Sequence, residues 1–405
     1  TSVDYERIFY ARRPILEIAV KNFLENQSFQ ADFKHFEKSN RLWLDDFAEF
    51  MAIKEHFGNQ ALQKWDDKKA VARDPSALEK YRILLAEQIQ YFKVTQYFFF
   101  KQWTELKNYA NQKGIQIIGD MPIYVAADSV EVWTKPELFQ LDEERNPLFV
   151  AGVPADQFSA TGQLWGNPLY AWEEHKKQGY AWWIHRIEES FKIYDVLRID
   201  HFKGFSDYWQ VDGKAEVAKD GSWQPGPGYD LFKAVKEQLG DLPIIAEDLG
   251  NIDDKARKLL TDCNYPGMKI LQFGFEDVSG ESLDSPHYCI PHSIVYTGTH
   301  DNDVTNGWYN SLTEQQQQYI NDYTHRHEDE SICQAMIRQL FATVSNTAIA
   351  TMQDVLDLPA SSRMNVPSTI GGNWQWRMQQ SDLTQDKKDF LEKMTTLYQR
   401  ANQGK

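Results

Sequence analysis

Carboxylates recur at the ends of the apolar runs in this chain. Asp120 closes "IQIIGD", Asp200 closes "VLRID", Glu247 and Asp248 close "LPIIAED", and Asp301 closes "SIVYTGTHD". An ionisable group at the end of a buried strand is costly unless it is paired or solvated. Arg198 precedes Asp200 by two residues, so on a strand the two side chains share a face. A cation that near keeps a carboxylate ionised, the state a covalent nucleophile requires. Glu247 follows an apolar run with no cation beside it in sequence, a setting that raises a carboxyl pKa and suits a proton donor. Two carboxylates tuned in opposite directions form a glycoside-cleaving pair. Asp301 adds a third negative charge against an oxocarbenium-like transition state, and His300 offers a hydrogen bond to a sugar hydroxyl. The competing reading makes each Asp the cap of a following helix. Four such ends, with Arg198 and His300 close by, favour chemistry.

These side chains meet only if strands carry them to one place. Six short apolar runs read as strands: 115–120, 196–200, 242–248, 268–275 ("MKILQFGF"), 293–301 and 346–356 ("NTAIATMQDVL"). Their near-continuous apolarity predicts burial on both faces, and the helical or loop stretches between them predict βα units with a parallel sheet. In a (β/α)8 barrel, the C-terminal strand ends converge on one pocket. No G-x-G-x-x-G follows any strand, which removes a dinucleotide-binding sheet. Residues 1–114 carry apolar residues at three- and four-residue spacing and read as a helical insertion subdomain, its last helix running from Lys80 to Gly114. Residues 115–405 read as the barrel. A structureless Gly-, Pro- and aromatic-rich insertion, 126–186, interrupts it, and loops of that length are usually functional. A final helix over 386–400 places Phe390, Leu391, Met394, Leu397 and Tyr398 on one face.

Composition narrows the classes. Lys and Arg number 43 against 59 Asp and Glu, a net charge of −16, which argues against nucleic-acid binding. No apolar stretch approaches the ~18 residues of a membrane span. Cys263, Cys289 and Cys333 are the only cysteines, an odd number without C-x-x-C spacing, which fits a reducing, cytoplasmic setting and no structural metal. Aromatics make up 14% of the chain, with 13 Trp, enough to fill a large core and also to stack on sugar faces.

At these residues the sequence resembles the amylomaltases, or disproportionating enzymes, of glycoside hydrolase family 77 in the α-amylase clan. The blocks that carry the resemblance are "GDMPIYVAADSVEVW", "AGVPADQFSATGQLWGNPLY", "VLRIDHFKGF", "AEDLG", "GMKILQF", "YTGTHDND" and "RMNVPSTIGGNWQWR", in the family's order from about Gln96 onward. The resemblance implies an α/β fold, a (β/α)8 TIM barrel, and transfer of α-1,4-glucan segments between maltooligosaccharides with retention. It implies Asp200 as nucleophile, Glu247 as general acid/base and Asp301 as third acid. Arg198 and His300 then support the nucleophile and the glucose at the cleavage point, Asp120 and Tyr124 line the donor side, Phe158, Gln163 and Trp165 belong to the loop over the glucan, and Asn365 to a late loop. The family uses no metal or organic cofactor. Gln157 stands where a second aromatic often precedes Phe158, Val304 replaces a Thr after "THDND", and "SPHYCIPHS" is a loose version of its loop. Six strand-like runs against the eight of a closed barrel imply a fragment lacking the first two strands. The alternatives are an α-amylase-type retaining hydrolase and an inactive glucan-binding fragment.

Overall fold

The computed structural model describes residues 2–26, 28, 30–155, 161–250 and 252–401. The chain is α/β and divides into two compact units, Glu6–Ile244 with Ile252–Asn264, and Thr1–Tyr5 with Ile245–Asn251 and Tyr265–Lys405. Among the described residues no helix is long and apolar enough to cross a membrane.

The larger unit opens with helices, including Tyr5–Glu25 (whose first residue, Tyr5, belongs to the smaller unit), Gln30–Ser39, Arg41–His56, Pro75–Leu84 and Ala86–Gln112. Three of them bury one aromatic face together, where Phe23, Phe33 and Tyr97 pack with Val20 and Val94. The single helix expected from Lys80 to Gly114 is two helices. Asp74 caps the first, with Pro75 at its first position, and the break falls at Leu85, whose φ of −112° and ψ of 24° leave the helical range. Apolar spacing runs on through the break, so periodicity did not show it. The second helix stops as expected at Gly114, whose φ of 74° favours a residue without a Cβ.

Six strands follow in this unit: β1 (Ile118–Met121), β2 (Phe149–Val153), β3 (Gln163–Pro168), β4 (Val196–Ile199), β5 (Asp207–Asp212) and β6 (Ser222–Pro225). β1 pairs in parallel with β4, Asp120 opposite Arg198, and the Leu197 N–H donates to Pro243 O. β1 is buried on one face only. Gly119 and Met121 are covered, but Ile118 is 41% exposed. The insertion expected to be structureless supplies β2 and β3, which join β5 and β6 in an antiparallel sheet of order β3-β2-β5-β6. Its register slips between Val150 and Gly152, a bulge that breaks the alternation a strand is read from.

In the smaller unit, β7 (Ile244–Ala246, entered from the larger unit at Ile244) precedes β8 (Gly267–Ile270), β9 (Ser293–Tyr296) and β10 (Thr347–Ile349). The last three form a parallel sheet of order β10-β9-β8. Two expected strands are half strand and half helix. The 268–275 run leaves β8 at Ile270 and coils into helix Leu271–Glu276, and the 346–356 run leaves β10 for helix Met352–Val355, capped by Thr351. Leu271 and Phe275 enter the same core as Val295, Trp308 and Met336. Burial makes both halves apolar, so composition alone does not mark the switch. The final helix spans Gln385–Leu397, and of its expected apolar face Met394 is buried, Phe390, Leu391 and Tyr398 are partly buried, and Leu397 is 60% exposed. Beyond it, Arg400 donates to the carbonyls of Phe341, Thr343 and Ser345, satisfying groups at the end of helix Ile332–Ala342.

Candidate active site

The β1–β4 register places Asp120 beside Arg198, and the two-residue strand period places Asp200 on the same face. Arg198 Nη1 donates to Asp120 Oδ1 and Oδ2 at 2.6 and 2.7 Å and to Asp200 Oδ1 at 2.9 Å. The Arg198 side chain is 9% exposed, whereas those of Asp120 and Asp200 are 40% and 43% exposed. One desolvated guanidinium therefore fixes two carboxylates whose outer parts face solvent. Sequence spacing anticipated the bond to Asp200. The bond to Asp120 depends on strand pairing.

Past Asp200 the chain turns through His201, whose φ is 49°, into a 3₁₀ turn, Phe202–Phe205. The turn is tight at Gly204, where a Cβ would come within 2.7 Å of Ile123 Cδ1. The His201 ring stands perpendicular to Trp165 at 4.8 Å. Desolvation pushes His201 down to about 4, so the ring is neutral at neutral pH. Gln163 and Trp165 are two apart on β3 and share a face, with Trp165 Nε1 donating to Gln163 Oε1 at 3.2 Å. Tyr124 is buried, its ring 6.3 Å from Trp165 and 5.9 Å from Tyr170, and burial raises its hydroxyl pKa. Arg186 holds the 122–124 turn by donating to the carbonyls of Pro122 and Ile123 at 2.7 and 3.0 Å. Phe158 and Gln157 lie outside the described residues.

In the smaller unit, Glu247 follows β7 directly, and its Oε1 accepts the Leu249 N–H at 2.8 Å. Its neighbour Asp248 serves the fold. It accepts the Met268 N–H at 2.6 Å, desolvation raises its pKa, and a Cβ on Gly267 would lie 2.4 Å from its Oδ2.

Asp301 sits in a network that closes on a late loop. Asn365 Nδ2 donates to Asp301 Oδ1 at 2.6 Å, and His300 Nε2 lies 3.3 Å from Asp301 Oδ2. The Asn365 N–H donates to His300 O at 3.1 Å. Arg363 ties the two segments together, donating to Asp301 O at 2.6 Å and to Asn365 O at 2.8 Å. The Trp374 ring lies 5.1 Å from that of His300. Val304, the departure after "THDND", caps helix Thr305–Ser311 without a side-chain bond, and Asp354 Oδ1 accepts the Thr305 N–H instead at 2.8 Å.

The residues expected from sequence thus fall into Asp120–Arg198–Asp200, Tyr124–Gln163–Trp165, and His300–Asp301–Asn365, with Glu247 at its own strand end. Sequence reasoning missed His201, Arg186, Arg363 and Trp374. His201, Arg363 and Trp374 stand inside family-like blocks, which was the available signal; Arg186 lies outside them and acts through backbone carbonyls that spacing does not encode. Among the described residues, the grouping with metal-ligand reach is His185, Glu188 and Glu189 on helix Ala181–Ile193, where Lys192 also bonds Glu189. It shares no residue with the carboxylate clusters.

A family model described as 4-alpha-glucanotransferase matches residues 1–384. A 4-alpha-glucanotransferase of Streptococcus pneumoniae is 52% identical over 405 residues, covering 100% of this chain and 80% of the relative. One from Clostridium butyricum is 41% identical, covering 98% of this chain and 81% of the relative. Among solved structures, an amylomaltase from Streptococcus agalactiae in complex with acarbose superposes with a TM-score of 0.97 at 58% identity, covering 99% of this chain and 81% of that one.

Proposed function

The chain belongs to the 4-alpha-glucanotransferase family, and on that premise we propose how its own residues carry the reaction. The enzyme acts on α-1,4-glucans and transfers glucan segments. Our reading of the mechanism is a retaining double displacement through a covalent glycosyl-enzyme. Asp200 attacks the anomeric carbon while Glu247 protonates the departing glycosidic oxygen. Glu247 then takes the proton of an incoming sugar 4-hydroxyl, which displaces Asp200 and restores both carboxyls. Asp301 stabilises the positive charge of the transition state. Carboxylates alone complete this chemistry, so the reading assigns no metal or organic cofactor.

The observation that carries the reading is the Arg198 guanidinium bonded to both Asp200 and Asp120. It orients the nucleophile and offsets the repulsion between two carboxylates at adjacent strand ends. Around it we assign Asp120 and Tyr124 to the donor side, Gln163, Trp165 and Phe158 to the loop over the glucan, and His300 and Asn365 to sugar hydroxyls. We assign the parallel strands to a (β/α)8 barrel within 115–405, residues 1–114 to a helical insertion packed on it, maltooligosaccharides as substrates, and a cytoplasmic setting suited to three free thiols.

Maltotriose tests both chemistry and class. Transfer converts it to glucose plus longer chains, whereas a hydrolase yields only shorter ones. Glu247→Gln removes the proton donor and should lower turnover by roughly 10²–10⁴-fold, the usual contribution of a general acid/base. Turnover equal to that of the parent chain would remove Glu247 from the mechanism, and products without chain lengthening would assign the site to hydrolysis.

A further inference from the structure

Trp374 lies on the loop that returns from Asn365, and it is held in a conformation that its own side chain disfavours. Its φ is 59°, in the left-handed region that Gly and Asn adopt far more readily than a bulky residue. Backbone contacts enforce that conformation. The Trp374 N–H donates to Met364 O at 2.6 Å, and its carbonyl accepts from the Tyr5 hydroxyl at 2.6 Å. The residues after it are braced too, with the Val3 N–H donating to Gln375 O and Ser2 bridged to Trp376.

This anchoring leaves the indole 46% exposed. A large apolar ring facing water and a strained backbone are two costs at one residue. The ring's position supplies the reason. It lies 5.1 Å from the His300 ring, tilted by 41°, and His300 in turn contacts Asp301. His300, Asp301 and Asn365 present donors and acceptors suited to the hydroxyl edge of a pyranose. None of them offers a flat apolar surface to its C–H face. Binding sites for sugars need both kinds of contact, and a rigid indole supplies the second.

We propose that Trp374 is a substrate-contacting residue whose indole face stacks on a glucosyl unit of the glucan bound beside His300. The inference rests on the reading of His300 and Asp301 as sugar-engaging groups. The strained backbone and its anchors hold the ring ready before the glucan arrives, so little side-chain freedom is lost on binding.

The test uses the Glu247→Gln chain, so that maltotetraose can be titrated calorimetrically without turnover, and compares Trp374→Phe, Trp374→Asn and Trp374→Gly in that background. Asn and Gly suit the left-handed backbone, so their melting temperatures should equal or exceed the parent's. Both should nevertheless weaken maltotetraose binding by roughly two- to tenfold, the range of a single aromatic contact. Phe keeps a flat ring and should retain most of the affinity. In the turnover-competent chain, KM should rise by the same factor at unchanged kcat. Asn and Gly variants that bind as tightly as the parent overturn the proposal. So does a Phe variant as weak as Asn, or a parallel fall in melting temperature and binding across all three. If the Glu247→Gln chain turns over like the parent, the catalytic reading fails, while the KM comparison among the Trp374 variants in the turnover-competent chain still decides the contact.

Discussion

Replacing Arg198 by Met removes a cation bonded to both Asp120 and Asp200 and leaves a shorter, unbranched apolar side chain. Three contacts from Nη1 are lost, at 2.6 and 2.7 Å to Asp120 and 2.9 Å to Asp200. A hydrogen bond to a charged group contributes about 1.5–3 kcal/mol. Both carboxylates are about two-fifths exposed, so solvent replaces part of the loss and the lower end applies. About 1.5 kcal/mol at the nucleophile corresponds to about a tenfold fall in kcat, and the unscreened repulsion between Asp120 and Asp200 takes the expectation toward a hundredfold. Arg198→Lys should fall between the two, because one ammonium keeps the charge but not the planar fork. The assay is the initial rate of glucose release from maltotriose at saturation, with the melting temperature measured beside it. A Met variant whose kcat stays within about threefold of the parent, well under one such bond, with an unchanged melting temperature, would refute the argued role of Arg198.

Stability should depend on pH through buried histidines. His175 is 1% exposed, with Nε2 3.1 Å from Leu138 O, and desolvation pushes it down to about 4. The unfolded chain binds its proton near 6.5 and the native chain does not, so stability is lost as pH falls from about 6.5 to about 4, by up to about 1.4 kcal/mol per unit. His201 titrates over the same window. His175→Gln keeps a donor to Leu138 O and should flatten the decline of melting temperature between pH 7 and 4.5; an unaltered slope would remove His175 as its source. Gly119→Ala should destabilise by about 1–3 kcal/mol, since the new Cβ would sit 2.1 Å from Tyr194 Cδ2 and displace β1 next to Asp120. Its melting temperature and turnover should fall together, and Tyr194→Ala in the same chain should recover part of both. An unchanged melting temperature in the single variant would refute the contact.

The site was legible in sequence where it is local. Arg198 and Asp200 share a strand face because the strand period is two, and the structure bonds them. Asp301 next to His300 was likewise readable from adjacency. Asp248 reads like its neighbour Glu247, yet it accepts a backbone N–H of β8 from 20 residues away. No sequence spacing separates a structural carboxylate from a chemical one when both end the same apolar run. The antiparallel sheet β3-β2-β5-β6 was illegible for a related reason. Its strands carry a bulge, glycines and half-exposed tryptophans, and each gains its pattern only from the partner it pairs with.

By itself, the order of residues determined the βα alternation, the helical character of the first 110 or so residues, the carboxylates Asp200 and Glu247 directly after β4 and β7, and the family, because these follow from short-range periodicity and contiguous motifs, whereas β9 ends at Tyr296, five residues before Asp301. Tertiary structure alone decided that Asp120 joins Asp200 on Arg198, that the 268–275 and 346–356 runs turn from strand into helix, and that Trp374 is held half-exposed against His300. Each of these depends on groups distant in the chain meeting at hydrogen-bond or van der Waals range. The free energy of such a meeting belongs to the pair and is carried by neither residue's own neighbourhood.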